Sequence, residues 1–150
     1  MSITYNVYRN GVKVKGDIRE KNFTDTGLAP NTSYQYQVSA QNEAGESPMS
    51  EPISVTTKYS AVSGVTLDKN TLSITIGETQ TLLAKIQPAT AEPGTTWVSN
   101  DTAIVTVNAN GKIKPVKVGT ATITVSSKVD ATKKATCTVT VVETPAPKPG

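Results

Sequence analysis

Cys137 is the one thiol in this chain, and there is no histidine to activate it. A nucleophilic cysteine or serine needs a base within hydrogen-bond reach, so the usual triads and dyads have no starting point. Cys137 sits in the run Ala135-Thr136-Cys137-Thr138-Val139-Thr140-Val141, where alternation puts it on one face with Val139 and Val141. It reads as a small buried hydrophobe, and a lone cysteine excludes an intramolecular disulfide. Asp68, Glu78, Asp101 and Asp130 carry charge that could attract calcium. Calcium asks for six or more converging oxygens, usually from closely spaced carboxylates. These four are scattered, and Asp101, after Ser99-Asn100, reads as a turn cap. Paired acids and glycine-rich phosphate loops are missing as well. The expectation is a non-enzymatic chain with no catalytic residue, no metal site and no cofactor.

Two further groups could bind rather than react. Lys112 and Lys114 fall on the outward face of one strand, Lys117 follows, and Lys128, Lys133 and Lys134 are near in sequence. Such lysines would attract an anionic polymer such as a bacterial cell-wall polysaccharide; the plainer reading is protection of a sheet edge. Residues 1–58 hold six Lys/Arg and six Asp/Glu, and residues 59–150 hold nine Lys and six Asp/Glu, so the net charge of +3 arises in the second half. Only Tyr59 and Trp97 are aromatic there. Nucleic-acid binders interleave aromatics with clustered Arg and Lys, so no nucleic acid is expected. Lys15-Gly16-Asp17 matches a short integrin-binding tripeptide, but three residues recur by chance and a turn is the simpler reading.

The elements that would position these residues are strands. Aromatics are 5% and charged residues 18% of the chain, while Thr and Val abound, which suits half-buried pleated strands. Tyr34-Gln35-Tyr36-Gln37-Val38-Ser39-Ala40 alternates, with Tyr34, Tyr36, Val38 and Ala40 expected to face a core and Gln35, Gln37 and Ser39 water. Ile3, Tyr5 and Val7 form another inward set, closed by the turn Asn10-Gly11 and a return through Val12 and Val14. A second series runs through Val65–Leu67, Leu72–Ile76, Leu82–Ile86, Trp97, Ile104–Val107, a turn at Asn110-Gly111, Ile113–Val116, Ala121–Val125 and Cys137–Val141. Short strands with a turn every 8–12 residues mean a sandwich or barrel. The reading is all-β, with modules at 1–58 and 65–142, a linker at 59–64 and a Pro-rich tail at 143–150. No run of about 18 apolar residues exists to span a membrane. Residues 1–20 lack the pattern of a signal peptide.

On particular residues the first module resembles the fibronectin type III family. Leu28-Ala29-Pro30-Asn31-Thr32-Ser33-Tyr34 resembles that family's turn into its sixth strand, where the tyrosine hydroxyl bonds back to upstream backbone. Tyr5-Asn6-Val7-Tyr8-Arg9 resembles its third strand, and Ala40-Gln41-Asn42-Glu43-Ala44-Gly45-Glu46-Ser47 the loop between its last two. The first two strands, which should precede Ile3, are absent from this sequence, leaving a fifth strand around Phe23 nearly isolated; the chain is then cut from a longer one, or completed by strands from another subunit, or rearranged or partly mobile over residues 1–58. Residues 62–142 resemble the bacterial immunoglobulin-like domain, group 2, through Val65-Thr66-Leu67-Asp68, Leu72–Thr79, Leu82–Pro88, Trp97–Asp101, Asn110-Gly111-Lys112-Ile113 and Gly119–Val125. The fold class implied is two tandem immunoglobulin-like β-sandwiches, the first lacking its first two strands.

These resemblances imply a display or spacer role on bacterial surface proteins, secreted glycosidases or tailed-phage virions. Within that range we expect an accessory decoration or tail protein at the virion surface; a bacterial cell-surface or secreted spacer, or a carbohydrate-binding accessory to a glycosidase, is the alternative. Its partners would be other virion proteins, or further copies of the chain completing residues 1–58 by strand complementation. Ile3, Tyr5 and Phe23 are the expected docking residues, Lys112, Lys114 and Lys117 the expected surface contacts, and Tyr34, Trp97 and Cys137 the structural core.

Overall fold

A computed structural model describes residues 1–149 of the chain. The described chain is built of strands and turns without helix, and it divides between Tyr59 and Ser60 into two compact units.

The first unit is one five-stranded sheet. β1 (Thr4–Arg9) and β2 (Val12–Ile18) form a hairpin over Asn10-Gly11, whose φ angles of 51° and 80° are those of a type I′ turn. β3 (Ser33–Asn42) pairs with the other edge of β1, and β4 (Gly45–Glu46) and β5 (Ile53–Thr56) lie in succession along β3. All pairings are antiparallel, in the order β2-β1-β3 followed by β4 and β5. Lys15-Gly16-Asp17 lies inside β2 rather than in a turn. Tyr5 pairs with Ile18 and Val7 with Lys15, so an extra residue bulges there, and Asp17 takes a φ of 56°.

The expected strand around Phe23 does not form. Residues 22–26 adopt no ladder, because a strand needs a neighbour to take its N–H and C=O groups and none of the described strands lies beside them. This segment instead lies over part of the sheet's apolar face.

The second unit is a closed sandwich. Its larger sheet orders β10 (Thr95–Ser99), β13 (Gly119–Ser127), β14 (Lys134–Val142) and β7 (Thr71–Thr75), with β7 parallel to β14. The opposing strands are β11 (Val105–Val107), β12 (Lys112–Pro115) and β8 (Gln80–Thr81), together with the pair β6 (Gly64–Leu67) and β9 (Ala84–Gln87). Thr alternates with Val, Ile and Cys along β13 and β14, so one face is hydroxylated and the other apolar. The apolar faces meet in a core of Ile74, Leu82, Val105, Ile113, Ala121, Ile123, Cys137, Val139 and Val141, with Trp97 packed at its margin.

Of residues 59–64, read from the sequence as a linker, Ser60, Val62 and Ser63 are tied into this unit. Ser60 bridges to Ala91, Val62 is buried, and the Ser63 N–H donates to the Gln87 carbonyl at 2.8 Å. The turn at Asn110-Gly111 is larger than a two-residue hairpin loop. Asn108 Oδ1 accepts from the N–H groups of Asn110 and Lys112, both at 2.9 Å, and so organises the whole of 108–111.

Candidate functional site

The pleat of the first sheet separates its side chains into two faces. Register places Tyr5, Val7 and Arg9 of β1 on one face with Tyr36, Val38 and Ala40 of β3. Ile18 joins them from β2, and Ile53 and Val55 from β5. In a two-layer domain this face would meet a second sheet. Within this unit, the segment after β2 lies against it. Asp25 pins that segment: its Oδ2 accepts from Arg9 Nη1 at 2.8 Å and from the Tyr36 hydroxyl at 2.6 Å, and its Oδ1 from the Thr26 N–H. The Tyr36 hydroxyl and the Arg9 guanidinium hold the Asp25 carboxyl below its usual range, and the same bond to Asp25 raises Tyr36. The Arg9 guanidinium also lies 5.6 Å from the centroid of the Tyr34 ring.

Between sheet and segment runs a groove of about 300 Å³ lined by Tyr5, Val7, Ile18, Phe23 and Val38, with Glu20 and Lys21 at its rim. Val38 is 45% exposed, Ile53 62% and Val55 47%, whereas Ile113, Ile123 and Val139 of the second unit are wholly buried. Of the expected docking residues, Tyr5 and Phe23 line this groove, while Ile3 is exposed just ahead of β1. Tyr34 Oη accepts from the Ala29 N–H at 2.9 Å, tying the start of β3 to the segment above it.

The opposite face is polar and better covered. Glu46 Oε1 accepts from Asn6 Nδ2 at 2.8 Å and from the hydroxyls of Tyr8 and Ser39. Bonds from Ser39, Tyr8 and Asn6, in that order, lower the Glu46 carboxyl to about 2. Ser39, expected to face water, is therefore buried, and Val38, expected to face a core, is not. Alternation identified the two faces correctly. It could not reveal that one had lost its cover and that the other had gained one from a distant glutamate.

The carboxylates of the second unit are used within their own turns. Asp68 accepts from the Leu83 N–H at 2.8 Å, Glu78 from that of Thr75, Asp101 from that of Ala103, and Asp130 from both the N–H and the hydroxyl of Thr132. Among the described residues no three Cys, Asp or Glu converge as a metal site would require. Cys137 is fully buried, and burial pushes its thiol up. Lys112 and Lys114 project from the outward face of β12, but this strand lies between β11 and β8. The edge-protection reading is therefore set aside for Lys112, whereas Lys114 lies beyond the two residues that β8 covers. Lys117 follows the same strand, while Lys128, Lys133 and Lys134 sit at the far end of β13. Nine residues of β13 separate the two groups, roughly 25 Å of extended chain. They do not form one patch.

This is the geometry of immunoglobulin-like modules, and comparison with known proteins agrees. Residues 61–139, more than half of the chain, match the model of the bacterial Ig-like domain (group 2). The chain belongs to that family. Ahead of this Ig-like domain, residues 2–56 match the fibronectin type III domain. One relative of the Ig-like chain is the Ig-like virion protein of Serratia phage KSP90, 42% identical over 74 residues, which are 48% of this chain and 29% of the phage protein. Another is 3-O-alpha-D-galactosyl-alpha-L-arabinofuranosidase of Bifidobacterium longum subsp. longum, 35% identical over 105 residues, 65% of this chain and 9% of the enzyme. The Ig-like chain covers between 6% and 29% of the curated relatives it matches. Among solved structures, domains 1–6 of the surface layer protein SbsC align over 95% of this chain and 20% of that one, with a TM-score of 0.50 and 19% identity. That likeness concerns the fold alone.

Proposed function

We propose that this chain is a non-catalytic structural and adhesion module, an accessory component of a tailed-phage virion. It docks through residues 1–58 and displays the Ig-like domain for weak contact with the host surface. The observation that carries this reading is the inequality of the two modules. The second closes its own core, while the first leaves Val38, Ile53, Val55 and one side of Phe23 in water. Fully burying an exposed side chain of this kind is worth about 1.5–3 kcal/mol, so completing the burial of several half-exposed ones is a large fraction of the stability of a small domain. A partner that covers the sheet is therefore bound with a built-in advantage. The similarity to an Ig-like virion protein supports placing that partner in a phage particle. On a repeated lattice many weak outward contacts, including any made to anionic wall polymer by Lys112, Lys114 and Lys117, combine by avidity.

Mass spectrometry of gradient-purified particles from the encoding phage tests this. Peptides from both modules are expected in the particle fraction; their recovery only from bacterial wall or supernatant fractions would overturn it. A second reading is favoured by the similarity to a large glycosidase: the module is then a spacer in a secreted or wall-anchored bacterial protein. The same fractionation separates the two.

A further inference from the structure

The two free edges of the first sheet are not alike. β2 carries Lys13 and Lys15, departs twice from regular register and holds Asp17 at a positive φ. Lysines and bulges of this kind blunt an edge against strand addition. β5, at the opposite edge, has none of them: Ile53-Ser54-Val55-Thr56 is uncharged, unbulged and exposed at every residue.

The hydrogen-bond phase of β5 is determined by its neighbour. Thr57 N–H donates to the Thr32 carbonyl at 3.0 Å, so Thr57 points its main-chain groups toward β3. An antiparallel ladder alternates, so Val55 and Ile53 also point toward β3, and the N–H and C=O groups of Ser54 and Thr56 point outward. They have no ladder partner among the described strands.

We infer that β5 is a self-pairing edge, at which a second copy of this chain adds antiparallel across a two-fold axis through Val55. In that register Ser54 exchanges both ladder bonds with Thr56 of the second copy, and Thr56 does the same with Ser54, so every outward group is satisfied. Val55 meets Val55 of the second copy in the closer, non-hydrogen-bonded site, where a β-branched pair packs well. An axis through Ser54 is inferior, because it sets Thr56 against Pro52, which has no N–H to give. The charges flanking the strand select the orientation. Glu51 precedes it and Lys58 follows it. Antiparallel addition brings Glu51 of one copy beside the Lys58 end of the other, whereas parallel addition would set like charges together. Such a contact is isologous and closed, giving a dimer rather than a fibre. It also joins the apolar faces of two sheets into one larger docking surface. The inference does not depend on the virion reading, since particle composition and self-association are measured separately.

Sedimentation velocity of the full chain across a wide concentration range tests it. A reversible dimer is expected. Glu51→Lys and Lys58→Glu should each weaken it roughly tenfold, as two symmetric attractive contacts become repulsive, and the double reversal E51K/K58E should restore it. Ser54→Pro removes an outward N–H, leaves the bonds to β3 in place, and should abolish the dimer while circular dichroism stays unchanged. A chain that remains monomeric throughout overturns the inference. So does a dimer that both single charge reversals leave intact.

Discussion

Gly111 lies under the indole of Trp97. A Cβ built on Gly111 would stand 2.8 Å from Trp97 Cζ2 and 2.6 Å from the Leu82 carbonyl oxygen. The residue also holds a φ of 78°. The turn after β11 thus seals the open end of the core, with Leu82 N–H donating to the Gly111 carbonyl at 2.9 Å.

Gly111→Ala should therefore destabilise the Ig-like module by about 3 kcal/mol, through left-handed strain and forced movement of a packed ring. Trp97 is the chain's single tryptophan, so urea unfolding followed by its fluorescence reads this module alone. An unchanged midpoint would mean that the indole gives way freely.

Cys137 is sealed between β13 and the opposite sheet, paired in register with Ile123. Burial raises its thiol, which removes thiolate as well as access. Ellman's reagent should leave the native chain unlabelled and react stoichiometrically in denaturant. Cys137→Ser should cost more than Cys137→Ala, by about 1–2 kcal/mol, because a buried hydroxyl lacks the partner a methyl does not need.

Glu46 gives the first module an acid dependence. Its carboxyl lies near 4.5 when unfolded and about 2 when folded. A depressed folded value contributes stability that is complete above the unfolded value and is lost as pH falls through the folded one. Hydrogen-exchange protection of the β3–β4 contact should thus decline between pH of about 4.5 and 2. Glu46→Gln should flatten that decline. A carbon-13 titration of the Glu46 carboxyl with its midpoint near the unfolded value would contradict the geometry.

Protection should be uneven along the chain. Residues 19–30 bond through Asp25 and Ala29 to side chains rather than to a ladder, so their amides should exchange fastest outside the termini. Amides of β13 and β14, paired along their whole length, should exchange slowest. Tyr34→Phe should speed Ala29 by the loss of a bond worth about 1 kcal/mol. Uniform slow exchange over residues 1–58 in a monomer would show that the open face is closed by other means.

Much of this was legible in the residues. The alternation in β3, β13 and β14 is local, and the pleat repeats every two residues whatever lies beyond it. Asn10-Gly11 could be recognised because a two-residue turn needs positive φ at both positions. Asn108 was missed, since a side chain closing a four-residue loop leaves no periodic trace. Asp25 was missed for a similar reason: nothing near it in sequence announces that Arg9 and Tyr36 will converge on its carboxylate. Glu46 was read only as part of a loop, although it satisfies Asn6, Tyr8 and Ser39 across the sheet.

By itself, then, the sequence determined the fold class and the tandem order, because composition, pleat period and turn chemistry are all local. Tertiary structure alone decided how the first sheet is covered. It dissolved the strand expected at Phe23, laid residues 19–30 over part of an apolar face and left β5 as an unguarded edge. Those outcomes depend on which backbone groups find partners in space, and pairing between distant segments is a property of the fold rather than of any stretch of the chain.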